Sequence, residues 1–265
     1  MKYVKYVSWL PEQLWFFKAR LSEIATSRLH RWLAHRRFRR EFGQFKALSE
    51  ACPARFALRW EDRCPCLNDR TGITEFDHHY VYHTAWAARI VAHARPAYHV
   101  DVSSSLYFCA LVSAFVPVLF FDYRPARLFL SNLSGGRDLT ALPFASNSVP
   151  SLSCMHVVEH IGLGRYGDPL DPEGDLKAMA ELSRVLAPGG SLLFVVPVGR
   201  PVIRFNAHRI YNPFQVIQSF AGLQLVEFSA VDDRGELQLN IRPELMETAH
   251  YACGLFHFRK EWLSE

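Results

Sequence analysis

The sequence predicts an α/β fold: a Rossmann-like, mostly parallel sheet with helices on both faces, preceded by a basic helical N-terminal segment. Short apolar runs alternate with segments of helical pattern from residue 98 onward, which is the βαβ signature of a parallel sheet. One run, residues 191–197, is apolar almost without interruption, as expected for a strand covered on both faces. Residues 1–50 carry eleven Lys and Arg against four Asp and Glu, a net charge of +7, whereas the remainder has a net charge of −3.

These patterns divide the chain into three segments. Residues 1–50 form a basic helical arm, because apolar residues recur at helical spacing from Leu14 to Leu29. Residues 51–78 form a loop-rich linker, since Pro, Asn, Asp and Gly interrupt them repeatedly. Residues 79–265 form the Rossmann-like α/β domain that the alternating pattern predicts.

The predicted elements of this third segment follow one another in a regular order. The helices are expected at about 79–94, 104–114 and 173–186, and Pro188-Gly189-Gly190 is a stop signal after the last of them. The strands are expected at 98–102, 116–121, 128–133, 151–157, 191–197, 223–231 and 251–259.

Composition excludes several classes of protein. An apolar fraction of 49% predicts a packed core rather than a disordered chain. No stretch approaches the roughly 20 apolar residues of a membrane span, and the N-terminus lacks a signal-peptide pattern, so we expect a cytoplasmic protein. The six cysteines are scattered and read as free thiols, and Cys64-Pro-Cys66 lacks a matching second pair. We therefore expect no metal site.

The basic arm leaves three interpretations open. Six arginines lie between Arg28 and Arg40, and aromatic residues such as Trp32 and Phe38 are interleaved with them. The arm could attach the protein peripherally to an anionic membrane surface, or it could bind another polyanion. Alternatively, it packs its aromatic residues on the main domain or on a second subunit, as in a homodimer. No nucleic-acid-binding motif accompanies the arginines, so no nucleic-acid partner is expected.

Acidic residues stand at the carboxyl ends of predicted strands. Asp101 and Asp122 close the first two strands, and Asp138 follows the third in a turn. In open α/β sheets, ligands bind outside the carboxyl ends of the strands, and an acid after the second strand can accept both hydroxyls of a ribose. A single such residue commonly caps the next helix or turn. Three in succession favour a nucleotide-like ligand.

The order of these residues carries a resemblance. Asp101, Asp122 and Asp138-Leu139, followed by R-V-L-A-P-G-G (184–190), resemble class I S-adenosylmethionine (SAM)-dependent methyltransferases. Three longer segments are similar to an uncharacterised family of that superfamily, domain of unknown function 268, and the resemblance runs from about 79 to 258. These segments are H-V-D-V-S-S-S-L-Y-F (99–108), S-C-M-H-V-V-E-H-I-G-L-G-R-Y-G-D-P-L-D (153–171) and F-N-A-H-R-I-Y (205–211).

The resemblance implies a cofactor site for SAM. It places Asp101 near the methionine end of SAM, Asp122 on the ribose, and Asp138 with Leu139 at the adenine. The first loop of the superfamily reads D-x-G-x-G-x-G, and here the glycine positions hold Ser103, Ser105 and Tyr107. Within that loop, Ser103 and Ser104 can still present backbone N–H groups and hydroxyls to a cofactor.

Two motifs supply candidates for catalysis and substrate binding. His156-Val-Val-Glu159-His160 matches the inverted zinc-protease pattern, but that chemistry needs a helix and the preceding residues predict a strand. His156 is therefore a candidate base rather than a metal ligand. His208 is the leading general base, because a neutral imidazole can take a proton from a hydroxyl near pH 7. The other predicted contacts of the substrate are Arg165, Tyr166, Asn206, Arg209 and Tyr211.

Two functions follow from these residues. The first is a SAM-dependent methyltransferase that acts on a small-molecule or glycan-related acceptor, with His208 or His156 deprotonating the acceptor. The alternative is a catalytically degenerate protein of the same fold that acts as a binding or assembly component. The loss of the loop glycines favours the alternative, and the presence of all three aspartates opposes it.

Overall fold

The computed structural model describes residues 10–53, 55–124, 126 and 139–262, with side chains from residue 28 onward. The predicted strand at 128–133 and the candidate Asp138 lie outside the described residues. The chain divides into two compact units, residues 1–75 and 76–265.

The first unit is built on one long helix. Helix α1 spans Leu10–Glu50, so the predicted helical N-terminal segment is confirmed. The rings of Phe38 and Phe42 pack against Trp60, with centroid distances of 6.1 and 5.0 Å. The guanidinium group of Arg36 lies 4.8 Å from the ring centroid of Trp32 on the same helix. Among the residues that the structure describes, no helix combines the length and the apolar character needed to cross a membrane.

The second unit alternates helices and strands. The helices are α2 (His78–Ala94), α3 (Leu106–Val112), α4 (Gly174–Val185) and α5 (Pro213–Ser219). The strands are β1 (His99–Val102), β2 (Val118–Phe121), β3 (Val149–Met155), β4 (Leu186–Val198), β5 (Val202–Arg204), β6 (His208–Ile210), β7 (Gln224–Val231), β8 (Leu237–Gln238) and β9 (Ala252–Arg259). Two 3-10 helices, Val158–His160 and Pro243–Met246, complete the set.

The strands form a seven-stranded sheet in the order β2-β1-β3-β4-β9-β7-β8. Strands β1 to β4 pair in parallel, while β9 lies antiparallel between β4 and β7. Since β9 opposes both neighbours, β7 runs in the same direction as β1 to β4. Among the strands in the described part of the chain, only β8 and β9 are reversed in this sheet. The short strands β5 and β6 pair separately. The predicted mostly parallel, Rossmann-like sheet is confirmed.

Both faces of the sheet are covered. Alternate residues of β4 belong to two different apolar clusters, as the two-residue period of a strand requires. Leu192 and Phe194 pack in the cluster that includes residues of α4 and α5. Leu193 and Val195 pack in the cluster that includes residues of α2 and α3. Both faces of this strand are buried, which explains its nearly continuous apolar sequence.

The start of β4 differs from the prediction. Helix α4 ends at Val185 and the strand begins at the next residue, so Pro188-Gly189-Gly190 lies inside β4 rather than in a turn before it. The backbone N–H of Gly189 donates to the carbonyl of Lys260, and the N–H of Lys260 donates to the carbonyl of Gly190. Pairing with the chain after β9 therefore extends the strand across residues whose composition predicts a stop.

Candidate functional site

Two adjoining cavities lie beyond the carboxyl ends of β1, β2 and β3. The first has a volume of ≈ 300 Å³ and the second ≈ 830 Å³. Both volumes fall within the usual range for ligand pockets. The side chains that line both cavities are Tyr80, His156, His160 and Tyr166. Two ligands in these cavities would therefore be neighbours.

Ser103 lies in the wall of the first cavity with a glycine-like backbone. Its φ is 53°, in the left-handed region that favours glycine, and it occupies the first glycine position of the superfamily loop. Its N–H donates to the carbonyl of Phe121 at 2.7 Å, and its hydroxyl donates to the same oxygen at 3.2 Å. These two bonds hold the loop in the conformation that a glycine would adopt without help.

Tyr107, at the last glycine position, does not obstruct the first cavity. It belongs to the first turn of α3, its side chain is 83% exposed, and it is absent from the wall of either cavity. The replaced glycines therefore leave the cavity open.

Asp122 and Leu139 also line the first cavity. The Asp122 carboxylate accepts the N–H of Arg124 at 2.7 Å, which fixes the turn that follows β2. Leu139 is buried and contributes an apolar surface. A carboxylate after the second strand and an apolar wall beside it suit a ribose and a purine ring, respectively. Its sequence neighbour Asp138 is outside the described residues.

Asp101 and Ser104 are buried behind the first cavity and do not line it. The Asp101 carboxylate accepts the Ser104 N–H at 3.2 Å, the Cys109 thiol at 3.0 Å and the Ser153 hydroxyl. Burial nevertheless raises the pKa of this carboxyl. The Ser104 hydroxyl accepts the N–H of Met155 at 3.1 Å. Through these hydrogen bonds, Asp101 and Ser104 hold the first loop against β3.

His156 lies between the two cavities with both ring nitrogens engaged. Nδ1 is 2.9 Å from the Glu159 carboxylate, and Nε2 is 3.3 Å from the Cys253 thiol. Burial disfavours the imidazolium form, but the Cys253 and Glu159 partners outweigh it and raise the pKa of His156 to about 10. Its φ of 57° is unusual for a side-chain-bearing residue, and its N–H donates to the Val195 carbonyl at 2.8 Å. A ring held in this way has no free nitrogen with which to accept a proton from a substrate.

His208 is placed differently from His156. It begins β6, lines the second cavity, and packs on the Tyr251 ring at a centroid distance of 5.0 Å. Its Nε2 is buried and has no hydrogen-bond partner among the described residues. Burial lowers the pKa of His208 below the usual 6.5, so its imidazole is neutral at pH 7. Of the two predicted bases, only this one has a ring nitrogen without a hydrogen-bond partner among the described residues, in a side chain that lines the second cavity.

The predicted contacts of the substrate separate into two groups. Arg165 lines the second cavity and Tyr166 lines both. The guanidinium groups of Arg124 and Arg165 lie 4.3 and 5.1 Å from the centroid of the Tyr166 ring. Asn206 is exposed and lines neither cavity. The structure thus brings only Arg165 and Tyr166 of the predicted set to the cavities.

Arg209 and Tyr211, the other two members, are buried and take part in internal contacts. Arg209 donates to the carbonyl of Ile161 at 2.6 Å and lies 3.5 Å from the Asp175 carboxylate. The Tyr211 hydroxyl donates to the same carboxylate at 2.9 Å. Neither residue lines a cavity, so their side chains hold β6 against the loop before α4 rather than facing a ligand.

The loop over the first cavity is organised by Asp168. Its carboxylate accepts the N–H groups of Gly162, Gly164 and Tyr166 at 2.8, 3.3 and 3.2 Å. Partial burial opposes ionisation, but these donors outweigh it and lower the pKa of Asp168. A carboxylate occupied in this way closes a turn, which leaves the loop as a preformed wall of the cavity.

The H-x-x-E-H segment is not a metalloprotease helix. His156 directly follows β3, and Glu159 and His160 belong to a single 3-10 turn. His160 is tied by Nδ1 to the Ala207 carbonyl at 2.6 Å. The two histidines therefore do not project from one face of a helix, as that mechanism requires.

Sequence reasoning missed three residues of this region: His79, Tyr251 and Cys253. The His79 ring is almost parallel to that of His156, with centroids 5.6 Å apart, and also stacks on Tyr251 at 5.3 Å. Burial and the neighbouring His156 lower the pKa of His79 to about 4. Cys253 reaches His156 only because β9 pairs antiparallel with β4, and no local pattern in the sequence predicts the register of these two strands.

Comparison with known proteins supports the predicted family over part of the chain. Residues 146–252 match the family model described as "Caenorhabditis protein of unknown function, DUF268". The resemblance that the motifs carry is thereby confirmed for this segment, which includes His156 and His208. No curated protein matches the chain.

Several solved structures are similar in shape at low sequence identity. The N-methyltransferase NodS of Bradyrhizobium japonicum, in complex with S-adenosylhomocysteine, is 15% identical over 74% of this chain and 93% of its own, with a TM-score of 0.49. A Burkholderia thailandensis 1,6-didemethyltoxoflavin N1-methyltransferase is 14% identical over 68% and 79%, with a TM-score of 0.49. The [4+2]-cyclase SpnF is 14% identical over 67% of this chain and 81% of its own, with a TM-score of 0.49. Matches at this level say nothing about the substrate of this chain.

Proposed function

We propose that this chain, whose residues 146–252 match the DUF268 family, binds SAM in the first cavity and catalyses methyl transfer to an acceptor in the second. The acceptor class is a small-molecule or glycan-related hydroxyl compound. The observation that carries the proposal concerns His208, which lines the second cavity. Its Nε2 is buried and has no hydrogen-bond partner among the described residues, and the second cavity adjoins the first, nucleotide-type cavity.

The first cavity fits the cofactor by the chemistry of its walls. Asp122 offers a carboxylate to the ribose hydroxyls, and Leu139 offers an apolar surface to the adenine. Ser103 keeps the left-handed backbone that allows the first loop to approach a ligand closely. Asp101 acts as a positioning residue, because its three hydrogen bonds fix that loop without entering the cavity. When bound, SAM supplies an electrophilic methyl group on a sulfonium ion.

The second cavity supplies the base and the acceptor contacts. An acceptor hydroxyl that donates to Nε2 of His208 can lose its proton to a neutral imidazole, which contributes about 10²–10⁴-fold to the rate of such reactions. Tyr166 lies on the wall shared with the first cavity and can orient an acceptor ring or sugar face. Arg165 can pair with an anionic group of the acceptor. His156 is left out of this step, since both of its ring nitrogens are occupied.

The first experiment is calorimetric titration of the full chain with SAM and with S-adenosylhomocysteine. Hydrogen bonds to a charged group contribute about 1.5–3 kcal/mol each, and 1.4 kcal/mol is tenfold in Kd. We therefore expect Asp122→Ala to weaken binding at least about tenfold. Asp69→Ala, at an exposed acid outside both cavities, is the matched control and should bind as the wild type does.

Two results would overturn the proposal. A folded wild-type chain that binds neither compound favours the alternative of a non-catalytic binding or assembly component. Unchanged affinity in Asp122→Ala would show that the cofactor lies elsewhere. For the acceptor half, S-adenosylhomocysteine release is measured across a panel of small hydroxyl compounds and glycans. His208→Gln should slow release by about 10²–10⁴-fold, whereas His93→Gln, at an exposed histidine of α2, should leave the rate unchanged.

For the basic arm we propose peripheral attachment to an anionic membrane surface from the cytoplasmic side. The support is the concentration of positive charge in residues 1–50. Sedimentation with vesicles containing phosphatidylserine should be lost when Arg36, Arg37, Arg39 and Arg40 are all changed to Gln in the full chain. Equal sedimentation of this variant and the wild type, or equal sedimentation with neutral vesicles, would contradict the proposal.

A further inference from the structure

Three nitrogen and sulfur ligands converge beside the proposed catalytic histidine without a role in methyl transfer. One ligand atom from each of His79, His156 and Cys253 lies within 4.8 Å of the other two. They come from the first turn of α2, the end of β3 and the start of β9. The sheet order thus assembles in space a set that is spread over 175 positions of the sequence.

The ligand atom of His156 is fixed by its other nitrogen. Nδ1 is 2.9 Å from the Glu159 carboxylate, so when a metal ion replaces the proton of Nε2, the remaining ring proton stays on Nδ1 and the Nε2 lone pair is directed towards the ion beside Cys253. Metal-binding histidines commonly show this arrangement, in which a carboxylate behind the ring sets the tautomer and orients the lone pair. Glu159 is itself 1% exposed, and its second oxygen has no hydrogen-bond partner among the described residues.

We propose that His79, His156 and Cys253 bind a zinc ion, with Glu159 as the carboxylate behind the His156 ring. Zinc binds imidazole nitrogen at about 2.0–2.1 Å and thiolate sulfur at about 2.3 Å, so tetrahedral neighbours lie about 3.5 Å apart. The 3.3 Å between Nε2 of His156 and Sγ of Cys253 is close to that separation. Three protein ligands leave a fourth position for water or a ligand group.

The surroundings favour a metal ion over the other chemistry that these groups could perform. A cysteine, a histidine and a carboxylate in line can also form a nucleophilic triad. That function requires the thiol to reach a substrate, but Cys253 is fully buried and lines neither cavity. An ion bound among the three ligand atoms would contact the sulfur directly and needs no substrate-sized opening to it.

The position of the ion would matter for the acceptor. His79 and His156 both line the second cavity, so the ion would border it. A bound zinc lowers the pKa of a water or hydroxyl that coordinates it. The zinc site is nevertheless independent of the proposed methyl transfer, since metal binding can be measured without cofactor, acceptor or turnover.

The test is metal content and affinity in the full chain. All samples carry Cys52→Ser, Cys64→Ser and Cys66→Ser, because these exposed thiols could bind metal adventitiously. Zinc is measured by mass spectrometry after dialysis, and cobalt(II) is substituted to look for thiolate-to-cobalt absorption. We expect one zinc per chain and a charge-transfer band. The matched control is Cys154→Ser, at a buried cysteine of β3 outside the three-residue set.

The variants decide the outcome. Cys253→Ser should abolish the charge-transfer band, and His79→Gln, at a half-buried side chain, should weaken zinc binding at least tenfold. Far-ultraviolet circular dichroism checks that each variant is folded. The proposal is overturned if the folded parent binds no zinc, or if it binds zinc equally well after both changes. A parent that binds zinc but not SAM would support this site while refuting the proposed function.

Discussion

Replacing Arg209 with alanine should unfold the domain at lower temperature rather than act first on ligand binding. Arg209 is 5% exposed, and its guanidinium group makes three contacts. It donates to the carbonyls of Ile161 and Pro172 at 2.6 and 3.4 Å, and it lies 3.5 Å from the Asp175 carboxylate. These contacts join β6 to the loop that covers the first cavity.

The size of the effect follows from what the substitution leaves behind. Asp175 is 5% exposed, so alanine at position 209 leaves a buried carboxylate whose remaining side-chain donor is the hydroxyl of Tyr211. Breaking a buried ion pair by removing one partner costs about 3–5 kcal/mol. In a domain of this size, each kcal/mol lowers Tm by about 2–4 °C, which gives a decrease of about 6–20 °C.

The measurement is thermal unfolding followed by circular dichroism, with two companions. Arg209→Lys keeps the charge but loses the planar fork, so its Tm should fall between those of the wild type and the alanine variant. Arg165→Ala is the matched control, since Arg165 is exposed and donates one bond to the Ala207 carbonyl at 3.1 Å. Its stability should change by no more than about 0.5 kcal/mol.

Two outcomes would refute this reasoning. If Arg209→Ala unfolds at the wild-type temperature, then the buried contacts contribute nothing measurable to stability. If Arg165→Ala is destabilised as strongly as Arg209→Ala, the distinction between a cavity-wall arginine and a buried structural one fails.

Three further predictions concern the backbone, the candidate base and a buried histidine. Gly162→Ala should cost several kcal/mol, because φ is 79° and a Cβ would clash with the Asp171 carbonyl, whereas Gly222→Ala has open space and should be nearly neutral; denaturant unfolding compares them. If His208 is the base, the rate of methyl transfer should be constant near pH 7 and should fall only when the pH is lowered below 6.5, because the pKa of His208 is lowered and its neutral form is the active one. A kcat/KM that already falls as the pH is lowered from 8 to about 6.5 would contradict this assignment. The pKa of His99 is lowered by burial from 6.5 to about 3, so the unfolded chain binds the proton first; its contribution to stability is complete above pH 6.5 and is lost as the pH falls towards 3, and His99→Gln should reduce that part of the pH dependence of unfolding.

The sequence was informative about where strands end and less so about which way their side chains face. Asp101 and Asp122 both stand at the ends of predicted strands, and the resemblance gives each a place in the cofactor site. Asp122 lines the first cavity, whereas Asp101 is buried and bonded to the first loop and β3. Both stand near the ends of parallel strands, so the local pattern is the same. The difference depends on what packs against each carboxylate, which is a property of the assembled sheet.

The same limit applies to the two arginines and the two histidines of the candidate site. Arg165 and Arg209 both lie in polar stretches of the sequence. Arg165 lines the second cavity, whereas Arg209 is buried against Asp175. His156 and His208 both reach the second cavity, but only His208 keeps a nitrogen without a partner among the described residues. Burial and pairing are set by residues distant in the sequence, so composition and spacing could not separate them.

By itself, the sequence predicted helices α2 to α4, strands β1 to β4, β7 and β9, the mostly parallel sheet and the rim that holds the cavities, because apolar periodicity and strand-end residues are local patterns. It did not predict α5, β5, β6 or β8. The tertiary structure alone decided that Cys253 meets His156, 97 positions earlier. Their contact arises because β9 runs antiparallel between β4 and β7, with Cys253 opposite Pro197 in the ladder. Strand order and register are fixed by packing over the whole sheet, and a side-chain cluster built across several strands exists only once that packing is complete.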